Sequence, residues 1–212
     1  MLIDMYGVIL RESKGNFIPY TLAHFPAAEH GRLLRAIREE GLFTRAQNGE
    51  ISSEEFLTRL GYEDPARAME DYLEHWLTLD EGFKLFAERW GRTCPQGSLV
   101  LLSNDVAEWS AYLLELHGLS GYFRDAVVSG QVHMRKPQRE IFQYTLKRLG
   151  CAAKECTFVD NSASNLRAAR ELGIDTVHFN RDNEDYEGRQ VKDFRELVDV
   201  LLCGTEDEYA QR

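Results

Sequence analysis

The chain has 212 residues, 43% of them hydrophobic and 28% charged, with a formal net charge of -10. That is enough apolar material for one large folded domain, or one domain carrying an insertion, and the acidic balance opposes nucleic acid, which needs clustered cations against its phosphates. No apolar run approaches the roughly 20 residues of a bilayer crossing, so no membrane partner is expected; with Leu2-Ile3 already in a core strand there is no room for a leader, and the expected location is the cytoplasm.

The chain opens with "MLIDMYGVIL", a short apolar run that ends on a carboxylate, Asp4, followed by Tyr6. Residues 13 to 82 then carry only helical spacing, over Leu33 to Ile37, Glu54 to Leu60 and Ala66 to Leu77, with Ser52 or Ser53 as an N-cap and acidic residues in the first turn after it. Leu99 to Leu102 is the next buried run and ends on Ser103-Asn104. A helix is predicted over Ala107 to His117 and a strand over Ala126 to Val128. "MRKPQREIF" places Lys136 before a helix that Pro137 would begin, continuing through Ile141 to Leu149 and closing at Gly150. Thr157 to Val159 ends on Asp160-Asn161, Leu166 to Leu172 is a helix closing at Gly173, and Thr176 to Phe179 is the last strand. The tail "GTEDEYAQR" is expected to fray.

Alternating strands and helices predict an α/β fold, a doubly wound parallel sheet, with residues 1–12 and 83–212 as the core and 13–82 as an inserted helical subdomain. Cys94, Cys151, Cys156 and Cys203 lack metal-ligand spacing and are expected as reduced, mostly buried thiols. The six histidines form no metal spacing, so surface or capping roles are expected of them. Nothing in the sequence sets an oligomeric state.

In an open parallel sheet the ligand lies beyond the carboxyl ends of the strands, where Asp4, Ser103-Asn104, Lys136 and Asp160 would converge. Singly, each has an ordinary reading: Asp4 or Asp160 as a cap, Ser103-Asn104 as a turn, Lys136 as a solvated side chain. A small phosphorylated partner remains compatible with the acidic chain, because a local pocket can be positive.

Together, "IDMYGVIL", "LLSND", "GQVHMRKPQREIF" and "TFVDNSASNLRAARELGI" resemble, in order and spacing, the four motifs of the haloacid dehalogenase superfamily. The resemblance covers nearly the whole chain and implies a Rossmann-like core with a helical cap at the insertion. It implies a Mg2+-dependent phosphatase of a small metabolite, a sugar phosphate among the candidates, with Asp4 as nucleophile forming an aspartyl-phosphate. Mg2+ would be held by Asp4, the Tyr6 carbonyl, Asp160 and waters, with Asn161 also assigned to the metal site. Lys136 would neutralise Asp4 and the phosphate and keep Asp4 ionised, with its pKa depressed. The Ser103 hydroxyl and the Asn104 N–H, at a helix start, would bind phosphate oxygens.

Two positions depart from the pattern. Tyr6 stands where such phosphatases usually carry a second aspartate as general acid and base, and Asn161 stands where many carry a second acid. Asp-x-Tyr-Gly also resembles the true 2-haloacid dehalogenases, which would need a cap arginine such as Arg35 or Arg45 to cradle halide. The third reading is a non-catalytic homologue that binds a phosphometabolite or a protein.

Overall fold

A computed structural model describes residues 1–202. The acidic tail and Cys203 lie outside the described residues. Six parallel strands, β1 (Leu2–Ile3), β2 (Leu99–Ser103), β3 (Phe123–Val128), β4 (Thr157–Asp160), β5 (Asp175–Phe179) and β6 (Arg189–Val191), form one sheet in the order β3-β2-β1-β4-β5-β6. The two residues of β1 are fully buried and paired on both sides, Leu2 with Val100 and Phe158, Ile3 with Leu101 and Val159. Side chains alternate across a pleated strand. Accordingly Ile3, Leu99, Leu101 and Val159 pack on one face with the helices Gly82–Thr93, Ala107–Leu116 and Phe194–Leu202. Leu2, Val100, Leu102 and Phe158 pack on the other with Arg139–Leu149 and Ala163–Glu171. Burial on both faces is what makes these strands continuous apolar runs.

Between β1 and the Gly82–Thr93 helix the chain is helical: Phe17–His24, His30–Leu34 continuing into a wider turn at Arg35–Glu39, Leu42–Gln47, Ser53–Leu60 and Pro65–His75. Ser52 is the N-cap, its hydroxyl accepting from the Glu55 N–H at 3.1 Å. Ser53 is instead buried and accepts from Trp109 Nε1 at 2.6 Å. Phe17 meets Phe43, Phe56, Tyr72 and Trp109 with ring centroids 5.2 to 5.4 Å apart, so the insertion and the sheet layer share one apolar core.

The two connections to the insertion run side by side. Arg11 N–H donates to the Thr78 carbonyl at 2.9 Å, and Leu10 pairs with Leu79. Arg181, after β5, fastens them to the loop behind Asp4, donating to the Gly7 and Val8 carbonyls at 3.1 Å each and to Asp80 at 2.6 Å.

Several expectations need correction. β6 was not anticipated: it is an edge strand whose first two residues are exposed, so it carries no apolar run. The helix after Lys136 begins at Arg139, not Pro137, and the helix after β2 begins at Ala107, which leaves Asn104 outside its first turn. Among the described cysteines, only Cys156 is buried; Cys94 and Cys151 are half-buried. His178 is buried, with Nε2 against the Asn161 carbonyl at 2.9 Å, rather than at the surface. No helix among the described residues is long and apolar enough to cross a membrane.

Candidate active site

β1 lies at the switch point of the sheet, where the chain builds outward first through β2 and β3 and then, on the other side, through β4 to β6. Ligands in such sheets bind beyond the strand ends at this place. Asp4 directly follows β1 and Asp160 closes β4, and Lys136 lies between them with its Nζ 2.7 Å from an oxygen of each. All three side chains are buried. The sequence candidates Asp4, Lys136 and Asp160 are therefore brought together as one ion triad.

The electrostatics of Asp4 differ from expectation. Its pKa is not depressed but pushed up to about 7, because burial, reinforced by the nearby Asp160 charge, outweighs Lys136 and the 2.8 Å hydrogen bond from the Met5 N–H. Lys136 is itself penalised by burial, yet the two carboxylates hold its ammonium above the ordinary lysine value. Removing charge from water is costly, and only close partners offset it.

Around the triad, each motif residue has a defined task. Asp160 accepts from Lys136, from the Ser162 N–H at 2.7 Å, and from Asn165 Nδ2 at 3.2 and 3.1 Å. Both of its oxygens thus accept hydrogen bonds. Asn104 clamps the Lys136 backbone, its Oδ1 accepting from the Lys136 N–H and its Nδ2 donating to the Lys136 carbonyl, both at 2.8 Å. The Ser103 hydroxyl is fully buried and has no hydrogen-bond partner among the described residues. Gly7 (φ 77°) permits the close approach of the first and fourth motifs, since a Cβ there would fall 2.4 Å from Asn161 Nδ2.

Asp105 and Asn165 were not singled out from the sequence, although both lie within the quoted motifs. Asp105 is fully buried and accepts from Ser110 Oγ at 2.6 Å, the Val106 N–H at 2.8 Å and the Tyr6 hydroxyl at 3.2 Å. Burial outweighs these bonds and pushes its pKa up to about 7. The Tyr6 phenol is likewise raised well above its ordinary value by burial and by the Asp105 charge, so it stays neutral and is no base.

A carboxyl whose pKa rises on folding keeps, between its unfolded value near 3.8 and about 7, a proton that the unfolded chain has lost. Raising the pH through that window then favours unfolding. A shift of this size corresponds to a penalty on the order of 4 kcal/mol at alkaline pH. Asp105→Asn keeps an oxygen for Val106 and Tyr6 and gives Ser110 an N–H. It should be more stable than the parent at pH 8, with a smaller loss of stability between pH 5 and pH 8, as read from urea unfolding. An unchanged pH dependence would show that Asp105 is ionised at little cost.

The triad faces a cavity of about 710 Å3 lined by Asp4, Tyr6, Asn104, Lys136, Asn161, Asn165 and Ser162 from the core, by Ser13, Lys14, Phe43 and Gln47 from the insertion, and by Asp182 and Glu184 after β5. Gln47 is pinned over the core: its Nε2 donates to the Asn104 carbonyl at 3.3 Å, and its carbonyl accepts from Ser129 Oγ at 2.6 Å.

Residues 1–173 match the family model for haloacid dehalogenase-like hydrolases. The chain belongs to this family. It is 28% identical over 210 residues to a D-ribitol-5-phosphate phosphatase of Bacteroides thetaiotaomicron, covering 95% of this chain and 97% of that one. It is 31% identical over 103 residues to a glyceraldehyde 3-phosphate phosphatase of Methanocaldococcus jannaschii, a match that spans 45% of this chain and 44% of that relative's length. Among solved structures, a haloacid dehalogenase-family enzyme of Bacteroides thetaiotaomicron, in complex with magnesium and inorganic phosphate, superposes with a TM-score of 0.69 at 21% identity, over 88% of this chain and 96% of that one. At that identity the superposition speaks for the fold alone.

For a haloacid dehalogenase-like hydrolase the donor set can be tested against a divalent ion. Mg2+ takes oxygen ligands, commonly one or two carboxylates completed by water and phosphate oxygens. Asp4 Oδ2 accepts no hydrogen bond from the described residues, and Tyr6 and Asn161 line the same cavity. An oxygen donor set built on the Asp4 and Asp160 carboxylates, completed by water and phosphate, suits Mg2+. No group of three or more His, Cys, Asp or Glu side chains among the described residues could hold a metal. Neither arginine considered for a halide cradle lines the cavity: Arg35 is exposed, and Arg45 pairs with Glu50 at 3.3 Å on the surface.

Proposed function

We propose that this hydrolase is a Mg2+-dependent, cytoplasmic phosphatase of a small phosphorylated metabolite, acting through an aspartyl-phosphate on Asp4. The observation that carries the reading is the ammonium of Lys136, 2.7 Å from both Asp4 and Asp160 and beside an open cavity at the switch point. Asp4 Oδ1 is held by Lys136 and the Met5 N–H, which aims Oδ2 as the attacking oxygen. Lys136 offsets the charge of the incoming phosphate, and the Ser103 hydroxyl and Asn104 N–H receive its oxygens. Attack forms the Oδ2–phosphorus bond as the bond from phosphorus to the ester oxygen breaks, and the departing alkoxide takes a proton from solvent water; a second water then cleaves the acyl phosphate, releasing inorganic phosphate and restoring the carboxylate. Mg2+, held by Asp4, the Tyr6 carbonyl, Asp160 and Asn161, would supply a second positive charge that keeps Asp4 ionised and withdraws charge from the phosphate.

The substrate class follows from the walls of the cavity. Ser13, Lys14 and Gln47 present polar groups where the leaving alcohol would sit, with Phe43 the ring beside them, which favours a hydroxylated residue such as a sugar or polyol. The likeness to a D-ribitol-5-phosphate phosphatase over 95% of the chain supports this choice. The half-buried thiols fit a reducing compartment.

Phosphate release from a panel of sugar and polyol phosphates, with Mg2+ and then with EDTA, tests the reading. Release that EDTA abolishes is expected. Because Tyr6 is neutral and tied to Asp105, 4-nitrophenyl phosphate, whose leaving group needs no proton, should turn over faster than a simple alkyl phosphate. No release from any ester would favour a binding protein, and EDTA-insensitive chloride release from 2-chloropropionate would select a dehalogenase.

A further inference from the structure

Cys151 and Cys156 bring their sulfurs to 3.2 Å, near the start of β4 and away from Asp160 at its other end. Cys151 follows Gly150, where the Arg139–Leu149 helix closes in a left-handed turn. Cys156 directly precedes β4, and its carbonyl accepts from the Asp175 N–H at 3.0 Å. A single tight turn, Ala153–Glu155, joins the two, fixed by the Ala152 N–H on the Glu155 carboxylate at 2.7 Å. Both cysteines line a cavity of about 540 Å3, which admits a small oxidant. Cys94 lines it as well but forms no sulfur contact with either.

We propose that Cys151 and Cys156 are an oxidisable dithiol that closes into an intramolecular disulfide on reaction with a peroxide. A disulfide bond is about 2.05 Å long, so the sulfurs have roughly 1 Å to travel. Burial and the hydrogen bond to Cys151 push the Cys156 thiol up to about 12, so Cys156 keeps its proton while the more accessible Cys151 makes the first attack. The Cys151 sulfur displaces water from the peroxide, forming an S–O bond as the O–O bond breaks, and becomes a sulfenic acid. The Cys156 sulfur then bonds to Cys151, the S–O bond breaks, and the departing hydroxide takes the Cys156 proton as a second water. Two electrons pass from the two thiols to one peroxide. In a reducing compartment such a bond is transient, and it intercepts the sulfenic acid before irreversible oxidation. The proposal does not depend on the phosphatase reading.

Exposure of the full chain to hydrogen peroxide, followed by alkylation and peptide mass mapping, tests it. The expected product is a Cys151–Cys156 linked peptide two hydrogens lighter than the reduced pair, restored by dithiothreitol, with Cys94 still alkylated. Cys156→Ser should stop at a Cys151 sulfenic acid that a 1,3-dione probe captures, and Cys151→Ser should leave Cys156 alkylatable at the same exposure. Oxidation of Cys151 to a sulfinic acid in the parent with Cys156 still free, or a disulfide to Cys94 or Cys203 instead, would overturn the assignment.

Discussion

Asp4→Asn should lower phosphate release by about a thousandfold or more, because an amide cannot form the acyl phosphate and the remaining groups only bind and polarise. The variant should nevertheless fold. Lys136 keeps Asp160 at 2.7 Å, and the carboxyl that burial pushes up to about 7 is replaced by a neutral group of the same shape. Its urea midpoint at pH 8 should therefore match or exceed that of the parent, which separates loss of a nucleophile from loss of structure. Turnover close to the parent's in a sample free of wild-type protein would remove Asp4 from the mechanism.

Lys136→Met should cost both stability and activity. The substitution leaves Asp4 and Asp160 buried near one another without the ammonium that lies 2.7 Å from each, and breaking a buried ion pair from one side typically costs about 3–5 kcal/mol. Adding Asp160→Asn to that variant removes one of the stranded charges and should recover much of the stability, while phosphate release stays low because nothing balances the incoming anion. A single variant that unfolds in urea within about 1 kcal/mol of the parent would mean that the triad is solvated, as exposed pairs are.

How much of this is legible in the sequence depends on what each residue competes with. β1, β2 and β4 are readable because strands buried on both faces stay largely apolar until the strand ends, so Asp4, Ser103 and Asp160 mark their own positions. Lys136 was identified through its surroundings in "MRKPQREIF", and its burial, unusual for lysine, becomes intelligible only with two carboxylates beside it. β6 and the short Ser129–Val132 helix were missed because neither has enough buried residues to leave a period. Asp105 and Asn165 were hidden for another reason. A single polar residue after a strand reads alike whether it meets water or, as here, Tyr6 and Ser110 or Asp160. The direction of the Asp4 shift was misread because it is set by a contest between burial and Lys136, and burial is a property of the packed chain.

Asp4 and Asp160 of the triad come from strand ends and Lys136 from the loop before the Arg139–Leu149 helix, whereas the insertion meets the cavity through Ser13, Lys14, Phe43 and Gln47. In the proposed phosphatase the reacting groups thus lie on the core, and the insertion supplies one wall of the cavity. On that proposal, exchanges at Lys14 or Phe43 should change which alcohol is accommodated while the charges about phosphorus stay as they are, so that one reactive centre would pass from one metabolite to another in few mutational steps.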